Sequence, residues 1–404
     1  MNIIQKISDR SEWENFYNYK CEKESDESNY LVDLREFIDN ECYLSVYDAI
    51  ISHTPFSPPT KSLINKTKAG KKRVVYTFSE NENLALKFIT YQLKYYDNLF
   101  APNLYSFRSD KTVKSAWNYI LTIKNLSQKY VYKVDISSYF NSVNPDKLLP
   151  ILKKALSDDE ELYCFLKEIL LNPYAIFNDE IIEEKKGILP GAPISSFFAN
   201  LYLSEMDKYF FNNKIPYLRY SDDIIVFADD ENSLNEHIET IKVQLREKKL
   251  EINPEKEMIT KPGEKWDFLG FSYQNGVIDV SDIAIKKLKA KMYRKSRALM
   301  RWVEKNKHPY EYAAKAFVKR FNAKLYENPI HNELTWTRWY FPIINTDKSL
   351  KIIDEYMQDC IRFLATGKRN KSKYNFTYQS IKNLGYRNLV NEFYKYKDSI
   401  EKSK

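Results

Sequence analysis

The chain has 404 residues, 43% hydrophobic and 29% charged, with 63 Lys and Arg against 55 Asp and Glu and a formal net charge of +8. This composition supports a sizeable buried core and excludes a disordered, collagenous or coiled-coil chain as the main character. The longest uncharged run, Gly187 to Ser204, holds Pro190, Pro193, three serines and Asn200, so no stretch reads as a membrane span. The N-terminus lacks the apolar segment of a signal peptide. Cys21, Cys42, Cys164 and Cys360 are too scattered for a zinc site or a disulfide scaffold, and His53, His237, His308 and His331 are too few for a His-based centre. The expectation is a cytoplasmic protein of two or three subdomains, without a membrane partner.

In chain order, residues 1–55 form an N-terminal helical segment, with Trp13, Phe16, Tyr17, Leu31, Leu34, Phe37 and Ile38 at helical spacing. The proline-rich stretch 52–59 ends it. A lysine-rich stretch from Lys61 to Lys72 leads into a strand at Arg73-Val74-Val75-Tyr76, and Leu84, Phe88, Tyr91 and Tyr95 fall on one helical face. Tyr130 to Val134 is a β-rich run that ends at Asp135. Ile194 to Phe211 reads as one helix, Tyr217–Tyr220 and Ile224–Ala228 as a hairpin, 234–248 as an amphipathic helix and 266–273 as a strand. Beyond a boundary near 276–282 the texture turns to long helices. From Ile283 to Val303 there are eight Lys or Arg and no acid, a pattern suited to a phosphate backbone. Trp302, Trp336, Trp339 and Tyr340 read as core.

Asp135, Asp222 and Asp223 carry the chemistry. Singly, each reads as a turn residue or cap. Together, adjacent acids inside an apolar hairpin repel each other and gain nothing from burial unless a cation neutralises them. Hard oxygen donors without His or Cys suit Mg²⁺, and a pair of such ions serves nucleotidyl transfer.

The joint pattern closely resembles the reverse transcriptase family, in its bacterial group II intron-like branch, over roughly residues 60–275. Val134-Asp135-Ile136-Ser137-Ser138-Tyr139-Phe140 is similar to the first catalytic motif, and Tyr220-Ser221-Asp222-Asp223 to the Tyr-x-Asp-Asp box. Leu189 to Leu203 is similar to the motif that holds the template base and incoming nucleotide. Leu250 to Lys256 resembles the lysine motif and Trp266 to Phe271 the primer-grip hairpin. Lys71 to Tyr76 and Leu104-Tyr105-Ser106-Phe107-Arg108 resemble finger motifs. One position departs: Pro190 stands where the family usually keeps Gln before the glycine, so an amide beside the incoming nucleotide is missing. That bears on fidelity and template dependence, not on the metal chemistry.

The resemblance implies an α+β, right-hand polymerase. Fingers would occupy 56–130 and a ferredoxin-like palm with an antiparallel sheet 131–276, the two interleaved. Residues 277–404 would form a basic, helical thumb-like region. It implies two Mg²⁺ ions, with Mn²⁺ as a substitute, held by Asp135, Asp222, Asp223 and the Ile136 carbonyl. Arg73 and either Lys68 or Lys72 would clamp the triphosphate. Phe140 would exclude a 2′-OH, and Lys256 would protonate the pyrophosphate leaving group. Gly191, Ala192 and Ser195 would line the nucleotide seat. Tyr220, Trp266, Leu269, Gly270, Lys287, Lys291 and Arg294 would contact primer or template.

Arg338 to Asn345, Thr366-Gly367-Lys368 and Leu384 to Asn391 resemble the C-terminal region of defence-associated and abortive-infection reverse transcriptases. The implied function is RNA-directed DNA synthesis on a dedicated non-coding RNA in bacterial anti-phage defence, from dNTPs, with a homo-oligomer possible. The rivals are a group II intron or retron enzyme, template-independent protein-primed synthesis, and a catalytically silent RNA-binding protein.

Overall fold

A computed structural model describes residues 2–22, 29–65, 72–185, 187–326 and 335–402. It divides the chain into two units, Met1–Pro262 and Gly263–Lys404.

In the first unit, a hairpin of β1 (Thr60–Asn65) and β2 (Lys72–Thr77) precedes β3 (Tyr130–Asp135), the apolar run that ends on the first aspartate. A second hairpin, β4 (Tyr174–Phe177) and β5 (Glu180–Glu183), joins the first through parallel pairing of Thr60 with Ile176, giving the order β2-β1-β4-β5. The other sheet consists of β3, β6 (Tyr217–Tyr220), β7 (Asp223–Ala228) and β8 (Met258–Thr260), all antiparallel in the order β6-β7-β3-β8. Its central strand β7 is buried at Ile224, Ile225, Val226 and Phe227, as a run apolar on both faces demands. Helix Glu231–Glu247 covers β3 and β7, starts on Asp230, whose side chain accepts from the Ser233 amide, and buries Leu234, Ile238, Ile241 and Leu245 at helical spacing.

The N-terminal helices Arg10–Cys21, Asn29–Asp39 and Cys42–Ile51 belong to the same core. Trp13 stacks on Phe88 of helix Glu80–Gln92, with ring centroids 4.1 Å apart. That helix stops at Gln92 and tightens into a 3₁₀ turn. Tyr95 therefore leaves the expected face and is 74% exposed.

The expected single helix over 194–211 is two, Ser195–Tyr202 and Ser204–Asn212, broken at Leu203. The physical reason lies in the carbonyl of Asn200, which a buried arginine takes up instead of the next helical turn. The expected strand over 266–273 is likewise two.

In the second unit β9 (Trp266–Phe268), β10 (Phe271–Gln274) and β11 (Val277–Val280) form an antiparallel sheet. Helices Asp282–Asn306, Tyr310–Leu325 and Lys348–Thr366 pack on one another, with Leu389–Lys402 against the last. The division falls ahead of the expected 276–282 boundary because this sheet is tied to the helical region. The Asn345 side chain donates to the Gly276 carbonyl (2.7 Å) and accepts from the Ile278 amide (2.8 Å). Trp302 is 46% exposed rather than core. Among the described residues, no helix is long and apolar enough to cross a membrane.

Candidate active site

Strand pairing alone brings the three aspartates together. Asp135 closes β3 directly opposite Asp223, the first residue of β7, and Tyr220 faces Asp223 across the hairpin. Ser221 takes a left-handed φ of 60°, which turns the chain so that Asp222 sits beside them. The Ile136 amide donates to the Asp222 carbonyl (3.1 Å), and the Asn253 amide to the Asp135 carbonyl (2.8 Å). Ligand oxygens of Asp135, Asp222 and Asp223 all lie within 4.8 Å of one another.

A buried polar network holds the turn. Arg219 is 0% exposed and grips Asp207 with two hydrogen bonds, Nε to Oδ1 at 2.8 Å and Nη2 to Oδ2 at 2.6 Å. Its remaining donors reach the carbonyls of Ser221 (3.2 Å) and Asn200 (3.1 Å). Tyr217 donates its hydroxyl to Asp207 at 3.0 Å. From the finger motif, the Ser106 hydroxyl accepts from the Ser221 amide (2.8 Å) and donates to the Asn200 side chain (3.2 Å). A buried pair of this kind fixes geometry because either charge alone would be costly.

The cluster is electrostatically loaded. Burial, then the charge of Asp135, push the Asp222 carboxyl above the usual carboxylate range, while Lys256 and Arg73 pull against them. Burial, then Asp222 and Asp135, push Asp223 up to about 6. Lys256 donates to Asp135 Oδ2 at 2.5 Å. Desolvation would lower its ammonium, but the hydrogen bond and charge of Asp135 outweigh this and hold it raised. Asn253 adds a longer contact to Asp135 Oδ1, at 3.4 Å. One ammonium against three acids leaves negative charge unmatched. The donor set, three carboxylates without nitrogen or sulfur, fits a hard divalent cation.

The residues expected to line a nucleotide seat are distributed as follows. Lys72 and Arg73 are exposed at the start of β2, and Arg73 is near enough for its charge to favour ionised Asp222. Lys68 lies outside the described residues. Gly191 has a φ of 100°, and a Cβ there would stand 2.2 Å from a Val75 methyl. The Tyr76 amide donates to the Pro190 carbonyl at 2.7 Å, locking this turn to β2. Ala192 is buried, and so is Ser195, whose hydroxyl donates to the Leu189 carbonyl at 2.6 Å. The Ser195 side chain thus closes the 189–195 turn. Phe140 is half-buried with Phe107 edge-on, centroids 6.3 Å apart.

In the second unit, Leu269 and Gly270 form the β9–β10 turn with left-handed φ values, and Trp266 is buried against Tyr273. Lys287, Lys291 and Arg294 are exposed on helix Asp282–Asn306, whose apolar stripe (Ile285, Leu288, Met292, Met300, Val303) faces its neighbours. Burial, then the charges of Lys291 and Arg320, depress the Lys324 ammonium. That marks a crowded basic surface.

Arg219, Asp207, Ser106, Asn200, Asn253 and Phe107 were not picked out as site residues. Arg219 carries no sequence signal, since a charged residue at alternate spacing in a strand reads as solvent-facing. Ser106, Phe107, Asn200 and Asn253 lie within motifs whose resemblance assigns them no role.

A family model described as "Reverse transcriptase (RNA-dependent DNA polymerase)" matches residues 64–273, just over half of the chain. The chain is 29% identical over 126 residues to "Retron Ec83 reverse transcriptase" of Escherichia coli, covering 30% of this chain and 38% of that protein. It is 26% identical over 160 residues to "Uncharacterized 91 kDa protein in cob intron" of Schizosaccharomyces pombe, covering 39% and 19%. The matches thus span well under half of either relative. Among solved structures, apo telomerase from Candida tropicalis aligns at 14% identity and a TM-score of 0.49, over 82% of this chain and 60% of that one. A C-terminally truncated form aligns at 16% identity and a TM-score of 0.45, over 56% and 55%.

Two stability measurements follow. Asp223→Asn should raise the stability of the metal-free protein by about 2 kcal/mol above pH 6, because the native pKa is raised over its unfolded value. The gain should fade as the pH falls from 6 toward 4; equal melting of both proteins at pH 8 in EDTA would refute the loaded cluster. Arg219→Met should cost about 3–5 kcal/mol by stranding Asp207, and Arg219→Met with Asp207→Leu should recover much of it, read by denaturant unfolding.

Proposed function

This chain belongs to the reverse transcriptase family, and on that premise we propose that it is an RNA-directed DNA polymerase. The observation that carries the reading is the gathering of Asp135, Asp222 and Asp223 within 4.8 Å, beside a turn held by the buried Arg219–Asp207 pair. A silent RNA-binding protein has no need of three mutually repelling acids.

Asp135, Asp222, Asp223 and the Ile136 carbonyl would hold two Mg²⁺ ions, or Mn²⁺ in their place. Such ions, when bound, stabilise charge on the attacking and leaving oxygens of nucleotidyl transfer. The chain's own residues do the rest. Arg73 and Lys72 meet the triphosphate with charge-assisted donors. Lys256, kept protonated by the acids around it, supplies a proton to the departing pyrophosphate. Phe140 sets its ring against the sugar, where a 2′-OH would collide with it. In the second unit the basic face of Lys287, Lys291 and Arg294 and the Trp266–Gly270 hairpin meet primer or template; in the first unit Tyr220 does so by itself. The bound RNA is a dedicated non-coding template, and the setting is cytoplasmic anti-phage defence, a reading supported by the similarity of the C-terminal motifs. Similarity to a retron enzyme favours, as the second reading, a retron-type reverse transcriptase.

Purified protein given dNTPs, Mg²⁺ and its co-purifying RNA should incorporate nucleotide, and Asp222→Ala with Asp223→Ala should lower the rate at least 1,000-fold, on the order expected when charge stabilisation is removed. Unchanged incorporation by that variant would end the metal assignment. Phe140→Ala should admit rNTPs in single-nucleotide assays; an unaltered sugar preference would remove its steric role.

A further inference from the structure

The second unit carries a cationic cavity of 230 Å³ between helices Asp282–Asn306 and Lys348–Thr366 and the loop that follows. Arg297, Arg369 and Lys373 line it against a single carboxylate, Asp359. Asp359 already answers two cations, Lys373 at 3.1 Å and Arg362 at 3.9 Å. Among the described residues, no carboxylate lies within ion-pair distance of Arg297 or Arg369. Two guanidinium forks therefore stand in a concave space with their charge unmatched. Each offers paired donors of the geometry that suits a phosphate.

The other walls are aromatic. Tyr293 presents an exposed ring, and Phe363 lies beneath the Arg369 guanidinium, 5.4 Å from its centroid. Cys360 closes the floor, and burial pushes its thiol up to about 12, so it stays neutral and adds no repulsion toward an anion. The hollow is open to solvent, so a phosphate and base can sit in it without being enclosed, and it is far too small for a duplex.

We propose that this cavity is a second nucleotide site, in which Arg297, Arg369 and Lys373 take the phosphate and Tyr293 and Phe363 take the base. The ligand chemistry is a nucleoside phosphate, supplied either free or as one nucleotide of a single strand. The site goes beyond the polymerase reading and does not depend on it, since every residue belongs to the second unit and no metal is needed.

The test uses the full-length chain in EDTA. Calorimetry with AMP reads the free ligand. Fluorescence anisotropy of a labelled ten-nucleotide oligouridylate, over a range of salt, reads the strand. Arg297→Gln with Arg369→Gln should weaken one of them at least tenfold, and for the strand should flatten the salt slope by about 0.7, the loss of one phosphate contact. A change with AMP identifies the free nucleotide as the source; a change with the oligomer alone identifies the strand. Arg369→Gln by itself, at an exposed position, should show a smaller loss in the same direction and guards against a misfolded double variant. Phe363→Leu should weaken the same ligand while leaving inorganic phosphate binding unchanged. If neither probe distinguishes wild type from the arginine variants, or if Phe363→Leu has no effect, the nucleotide site is overturned. No incorporation is measured, so that result would leave the polymerase reading intact.

Discussion

The Arg219–Asp207 pair is the constraint on which the first unit depends. Its guanidinium joins three separate stretches of chain: the helix that carries Asp207, the end of the helix that carries Asn200, and the turn at Ser221. Without it the Asn200 and Ser221 carbonyls would lose this buried partner, at a cost of about 1–3 kcal/mol apiece, and Asp207 would keep only the Tyr217 hydroxyl. Satisfied together, they leave the turn one geometry. Ser106 completes the fixing from the 104–108 segment, its hydroxyl accepting from the Ser221 amide and donating to Asn200 at once.

Rigidity of that kind answers a specific difficulty. Asp222 and Asp223 are held in a half-buried position where both carboxyls titrate above their ordinary range. A looser hairpin would relieve the repulsion by swinging one acid into water. Here the backbone is bonded on both sides, through Ile136 to Asp222 and through Asn253 to Asp135, so the charges cannot separate. Such repulsion would favour a bound cation, and the Lys256 ammonium already offsets part of it.

Much of this was legible beforehand. The β-rich run into Asp135 and the hairpin at 217–228 follow from apolar patterning, and antiparallel pairing then places the acids opposite one another. The run of eight Lys or Arg without an acid from Ile283 to Val303 marked the long basic helix. What escaped were features that depend on partners distant in the chain. Leu203 offers no breaker to local reading; the helix stops there because Arg219 claims the Asn200 carbonyl. Tyr95 fits the spacing of helix Glu80–Gln92 yet sits past its end. Trp302 has the size of a core residue and lies outside the core. Asn345, a polar residue far along the chain, decides that the sheet from Trp266 to Val280 belongs with the helices.

The missing side chain at Gly191 has a mechanical meaning. With Val75 seated where a Cβ would be and Tyr76 bonded to Pro190, the strand bearing Arg73 and the turn above Ser195 touch backbone to backbone, with no compressible layer between them. They form a geared joint: any tilt of the β1–β2 hairpin is transmitted to the residues from Leu189 to Ala192 without slack. On the proposed roles of Arg73 and the 189–192 turn, hold on the phosphates and placement of the opposing base would be one movement instead of two.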